Sequence, residues 1–242
     1  MDHYATVAEK YNLTFGWGTL PDGDEGSYIK EKRQIILDTR VRIPERLHFS
    51  FYHELMHAHI EDDDDILSLL ADAHIYDEYD TIERMCNAGA AELIVPGDEV
   101  YGFLRTKPFS ASLIPEMCER FLASSLAVAF KMINHTSHEC HLVIAEPTMT
   151  NADHAELVII YTGKSSAVEK YSIKRGQILP TRSLLYRALH MGDGKSCQGE
   201  DCIPFASGTE WLVPCDTICF RGKVFAFFNV KPPISVNQLS LF

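Results

Sequence analysis

The stretch FSFYHELMHAHIEDDDD, from Phe49 to Asp65, sets a histidine on either side of a glutamate and then runs into five consecutive acidic residues. Pro44 suits a first helical turn, so a helix begins near it and carries this stretch. His53 and His57, four positions apart, project from one face of that helix about 6 Å from each other, so both imidazoles can reach one ion. Glu54 stands beside the first histidine, free to act on water at that ion: the pattern is H-E-x-x-H. Chance matches in a chain of this composition number about 0.04. The pattern therefore outweighs, without excluding, a wet helix end that merely displays histidines. Asp62 to Asp65 repel one another and disfavour a helix interior, so the helix ends at or before them.

A third ligand separates the classes of zinc peptidase. The long metzincin pattern requires glycine at position 60 and histidine at 63; here they are Ile60 and Asp63. Asp63 can ligate in principle, but Ile60 lacks the freedom that turns the chain back towards a metal. Glu83 is the stronger candidate. It lies 26 positions beyond His57, with Asn87 one helical turn later, so the first can bind the metal and the second can hydrogen-bond a ligating imidazole. Two histidines, a carboxylate and an open water position make the gluzincin type of catalytic zinc site. His59 falls on another side of the helix and reads as solvent-facing. Glu92, nine residues past Glu83, reads as a structural partner.

Two longer segments carry a family resemblance. IILDTRVRIPERLHFSFYHELMHAHI, residues 35–60, and ERMCNAGAAELIVP, residues 83–96, resemble the ImmA/IrrE metallo-endopeptidases of bacteria and phages. In that family a strand, x-x-P-E-R and F-x-x-x-H-E-x-x-H are followed by E-x-x-A-N-x-F-A-A-E-L-L-M-P. The resemblance implies that His53, His57 and Glu83 hold a zinc ion, with manganese as a substitute, and that Glu54 is the catalytic base. It also implies a protein substrate, a helix-turn-helix repressor whose cleavage induces stress-response, DNA-damage or mobile-element genes. Three positions depart from the pattern: Met56 stands where glycine is common, Cys86 where alanine is usual, and Gly89 where an aromatic often sits. Gly89 should cost its helix about 1 kcal/mol relative to alanine and leave core space unfilled. The resemblance is strong over residues 25–97. Beyond them, the radiation-response members continue with a helix-turn-helix-like segment and a GAF-like domain.

The composition, 46% hydrophobic and 23% charged, is that of a soluble globule. No apolar run reaches about 18 residues, and the N-terminus lacks a basic-then-apolar order, so the expected compartment is the cytoplasm, with no membrane. Seven scattered cysteines agree with reducing conditions. Cys197, Cys202, Cys215 and Cys219 could form a second, four-thiolate zinc site, but their spacing is loose and reduced thiols are the better reading. GDGKSCQGED reads as a mobile loop. A net charge of -12 opposes direct nucleic-acid binding. The second half of the helix pair at Ser112–Ile133 carries only Lys131 to grip phosphate.

Along the chain, a helix is expected over residues 2–11, with Asp2 as its cap, then a loop at GWGTLPDGDEG and a strand at QIILDTRV. Helices follow from near Pro44 up to the acidic run Glu61–Asp65, near Ile66–Ile75 and over Asp80–Ile94, the last stopped by Pro96 and Gly97. The pair at Ser112–Ile133 turns near Ser124. HLVIAEP, AELVIIYTG, KYSIKRGQIL, TEWLVPCDTICF and KVFAFFNV read as strands, with SLLYRALH a helix among them. The expected fold is therefore α+β: a zincin-like peptidase domain at 1–106, a helix-turn-helix-like connection at 107–136 and a GAF-like sensor or docking domain at 137–242. The oxyanion group is open among Tyr52, Tyr76, Tyr79 and Tyr101. The expected function is a zinc endopeptidase. The alternative is a non-proteolytic regulator with a structural metal and a C-terminal module that binds a ligand or partner.

Overall fold

The computed structural model describes residues 3–72, 78–151, 154–168, 172–209 and 211–231. The chain clusters into two compact units, residues 1–96 with 120–124, and residues 97–119 with 125–242. The architecture is α+β. The first unit is mostly helical and the second is built on an antiparallel sheet.

In the first unit, α1 (His3–Lys10) leads into a small sheet of β1 (Thr14–Gly18), β2 (Gly26–Ile29) and β3 (Gln34–Asp38), followed by α2 (Pro44–Glu61), α3 (Asp64–Asp72) and α4 (Glu78–Ile94). Strand β3 is central, parallel to β1 and antiparallel to β2, so β2 is an outer strand. Alternation sends Ile35 and Leu37 to the core, where they meet Ala8, Leu13, Phe51, Leu55 and Ala58. Phe51, Leu55 and Ala58 follow helical spacing, which turns one face of α2 onto the sheet and leaves His53 and His57 off that face. Arg33 fixes the far end of α2 by a bidentate pair with Asp62, both contacts at 2.8 Å. Asp38, buried at the end of β3, accepts from the Leu20 N–H at 2.9 Å and from the Arg40 N–H at 2.6 Å. Its side-chain bonds to Arg40, with those two amides, hold its carboxyl well below the usual range. This anchors the connection that carries residues 23–25 beside α2.

The second unit contains α5 (Gly97–Thr106), α6 (Leu113–Phe121), α7 (Ser125–His135), β4 (Glu139–Asn151), β5 (His154–Lys164), α8 (Leu184–Met191), β6 (Ser196–Cys202), β7 (Leu212–Phe220) and β8 (Lys223–Lys231). The strand order is β5-β4-β8-β7-β6, with every neighbour antiparallel. Val143, Ala145, Val224 and Ala226 face Leu185, Tyr186 and Ala188 of α8. Leu142, Ile144, Phe225 and Phe227, on the opposite face by alternation, are also fully buried. Two covered faces explain why these central strands read as unbroken apolar runs. The Ser183 hydroxyl caps α8 by accepting from the Leu185 N–H.

Several local expectations change. GWGTLPDGDEG is not all loop: β1 includes Gly16–Gly18, and β2 opens at Gly26. QIILDTRV stops being strand at Asp38, where the Val41 N–H turns back to the Asp38 carbonyl. The helix expected from Ile66 begins at Asp64, and a further helix, α5, starts directly at Gly97. Of KYSIKRGQIL, the described residues 172–179 form no named strand. Ile173 and Ile178 make isolated bridges on either side of a turn at Arg175–Gly176, where glycine takes φ +78°. GDGKSCQGED is not a mobile loop, since Ser196–Cys202 is strand β6. The expected cap Asp2 and the tyrosine Tyr76 lie outside the described residues. Among the described residues, no helix is long and apolar enough to cross a membrane.

Candidate metal centre

Helices α2 and α4 pack directly together, and the three expected ligands meet where they cross. The Nε2 atoms of His53 and His57 are 3.1 Å apart. The Glu83 carboxylate lies 3.2 Å from the first and 3.3 Å from the second. Two ligands held about 2.0–2.1 Å from one tetrahedral ion are separated by about 3.3 Å, so the three distances fit a single ion. Among the described residues, this is the group of three or more metal-binding side chains with that closeness. Burial and the neighbouring His53 lower the His57 pKa, against the pull of Glu83, which favours the neutral, ligating imidazole. Asn87 Oδ1 lies 3.1 Å from His53 Nδ1. An Nδ1–H donated to that oxygen leaves the Nε2 lone pair free for a metal and fixes the ring.

Glu54 points into the same cleft, which encloses about 490 Å³ and includes residues 23–28, Tyr79 and Glu83 in its lining. Burial raises the Glu54 pKa to about 7; the Tyr28 N–H, donating to Oε2 at 2.8 Å, pulls the other way, and the charge of Glu83 adds to the rise. That bond comes from the free side of the outer strand β2. Gly26 permits the approach, because a Cβ there would lie 2.9 Å from Glu54 Cγ. Neither contact carries a signal in the sequence beyond the glycine itself.

The remaining candidates separate clearly. Asp63 Oδ1 accepts from the N–H groups of Asp65 and Ile66, at 3.1 and 3.0 Å, and so caps α3. His59 and Glu92 are exposed. Tyr79 lines the cleft and bonds to Glu83, whose charge raises the phenol pKa. Tyr52 packs against the first unit's core, and Tyr101 is an exposed residue of α5. The four cysteines do not assemble as ligands: Cys197, Cys215 and Cys219 sit in the apolar core beneath α8, and all four are free thiols. Burial pushes Cys215 and Cys219 up, away from the thiolate a metal needs. The space expected at Gly89 is filled. Met56, on α2, lies along it.

The family model described as the IrrE N-terminal-like domain, of the M78 peptidases, matches residues 18–138, half of the chain. The chain belongs to this family. M78 membership is consistent with two relatives, each named radiation response metalloprotease IrrE. That of Deinococcus deserti is 29% identical, over 89% of this chain and 76% of the relative. That of Deinococcus radiodurans is 24% identical, over 86% of this chain and 66% of the relative. A solved structure described as a Mycobacterium tuberculosis transcriptional regulator shares the fold, with a TM-score of 0.57 at 12% identity, over 94% of this chain and 80% of that one. The M78 match spans both α2 and α4 and hence every residue of the centre.

Proposed function

We propose that this M78 protein is a zinc-dependent, site-specific endopeptidase, with manganese as a possible replacement metal. His53, His57 and Glu83 hold the ion and Asn87 orients His53. The observation that carries the reading is the triangle of ligand atoms with 3.1–3.3 Å sides, which opens on the same cleft as Glu54. When bound, the ion supplies Lewis acidity towards a peptide carbonyl and makes water a stronger acid. Glu54 takes the proton of the attacking water and hands it to the leaving amine. The Tyr28 amide, bonded to one Glu54 oxygen, leaves the other available for that exchange. Of the three described candidates, Tyr52, Tyr79 and Tyr101, it is Tyr79, in the cleft wall, that is best placed to donate to the carbonyl oxygen.

The substrate class is a helix-turn-helix repressor, cut to induce stress-response or mobile-element genes in the cytoplasm. Two relatives named radiation response metalloprotease support the stress-response part of this reading. Residues 1–106 form a zincin-like catalytic domain in this reading. The helices at 107–136 pack rather than read DNA, and residues 137–242 form a GAF-like domain that senses a signal or docks the repressor. The test mixes the parent chain or Glu54→Gln with the repressor encoded beside its gene, in the presence of zinc. Cleavage by the parent alone is the expected result. A parent that binds zinc yet leaves the repressor and other protein substrates intact points to the non-proteolytic regulator instead. Glu83→Ala should lose most of the bound zinc, measured by atomic absorption, and equal metal content in parent and variant overturns the ligand set.

A further inference from the structure

The geometry points to Met56 and Gly89 as positioning residues that set the separation of α2 and α4, and through it the metal affinity; this rests on the metal reading above. The centre is made of contacts between these two helices: His53 to Glu83 at 3.2 Å, His57 to Glu83 at 3.3 Å and His53 to Asn87 at 3.1 Å. The distance between the helices is therefore a variable that all three contacts share.

Met56 occupies the same interface. A Cβ built on Gly89 would lie 2.6 Å from its Cε, 2.8 Å from its Sδ and 2.9 Å from its Cγ. Three consecutive atoms, reaching back to Cγ, run along the surface of α4, so a shift of the flexible tip alone does not relieve the clash. Cys86 and Ala90, on either side of Gly89 in α4, are wholly buried. Ordinary contact begins at 3.4 Å, so an added methyl demands relief of about 0.5–0.8 Å, whereas metal–ligand distances tolerate about 0.2 Å. Glycine at 89 lets α4 approach, and the thioether chain at 56 fills the gap and fixes how closely. The arrangement accepts the roughly 1 kcal/mol that glycine costs a helix interior.

The experiment uses the full chain as parent, Gly89→Ala, Met56→Ala and the double variant, with folding followed by circular dichroism. Zinc affinity is read by chelator competition, and ligand geometry by the visible spectrum of the cobalt-substituted protein. Gly89→Ala should weaken zinc binding by about ten-fold or more and change the cobalt spectrum, even though alanine is the better helix former. Met56→Ala/Gly89→Ala should return to within about three-fold of the parent. If Gly89→Ala fails to fold, the double variant decides, because it must fold and bind zinc as Met56→Ala does. A Gly89→Ala chain with parental affinity and spectrum, or a double variant that recovers neither fold nor metal, overturns the inference while the metal reading stands. A parent that takes up no zinc overturns the metal reading first.

Discussion

At position 54 the chain buries a carboxyl group beside a backbone amide, and burial outweighs the amide, so the group titrates near 7 instead of 4.5. In the metal-free protein this has a definite sign. The unfolded chain gives up the proton near 4.5 and the folded one near 7, so the contribution to stability is full below the first value and lost as pH rises through the second. Glu54→Gln should therefore stabilise the metal-free protein at pH 8, by on the order of 2–3 kcal/mol, and have little effect at pH 4. Urea unfolding at the two values is the check. The same substitution should lower repressor cleavage by about 10²–10⁴-fold while zinc is retained. His53, Glu54 and His57 were legible because their spacing alone puts them on one helix face. The Tyr28 contact was not, since every residue but proline carries the same amide and only the fold aims this one. The Met56–Gly89 contact was equally hidden: each position looked odd by itself, and the fit between them exists only once α2 and α4 cross.

The acidic run after α2 shows how one element end serves two helices. Asp62 pairs with Arg33 beyond the last turn of α2, and Asp63 caps the first turn of α3. Asp63→Ala should cost about 1 kcal/mol of stability with zinc content unchanged, which thermal unfolding and metal analysis of the same sample would show. Loss of the metal instead would return Asp63 to the ligand set. Propensity identified the elements whose side chains decide their structure, such as β4, β8 and α8. It failed where the backbone decides. SCQGEDC has a glycine and two acids, yet it forms β6 because it is an outer strand and pairs with β7 along its full length; the charged residues face outward or cap α8. KYSIKRGQIL has the better strand composition, but its turn at Gly176 breaks the run. Its main chain instead bonds to Leu157 and Ile159 of β5.

Over the whole chain, every residue assigned to the metal lies before Pro96, while the family match runs on to residue 138. A fragment of residues 1–136 should therefore bind one zinc per chain. It would also expose Val128, Ala129, Met132 and Ile133, the buried face of α7, which packs on β4 and β5, so low solubility is expected. Repressor cleavage by a folded, zinc-loaded fragment should fall below that of the full chain. An equal and equally controllable rate would show that residues 137–242 neither sense nor dock. The α+β class was readable from the change in composition along the chain, but the division of the helices between units was not, because α5 to α7 carry apolar faces that could serve either side. The ligands themselves have one further consequence. They come from two helices, and 26 positions separate His57 from Glu83, so a bound ion closes that length of chain as a removable cross-link would. Binding to the folded form alone then draws the population away from open states in which α4 has come loose. Removing the ion should therefore speed proteolytic cutting of α4, which limited proteolysis with and without a chelator would show.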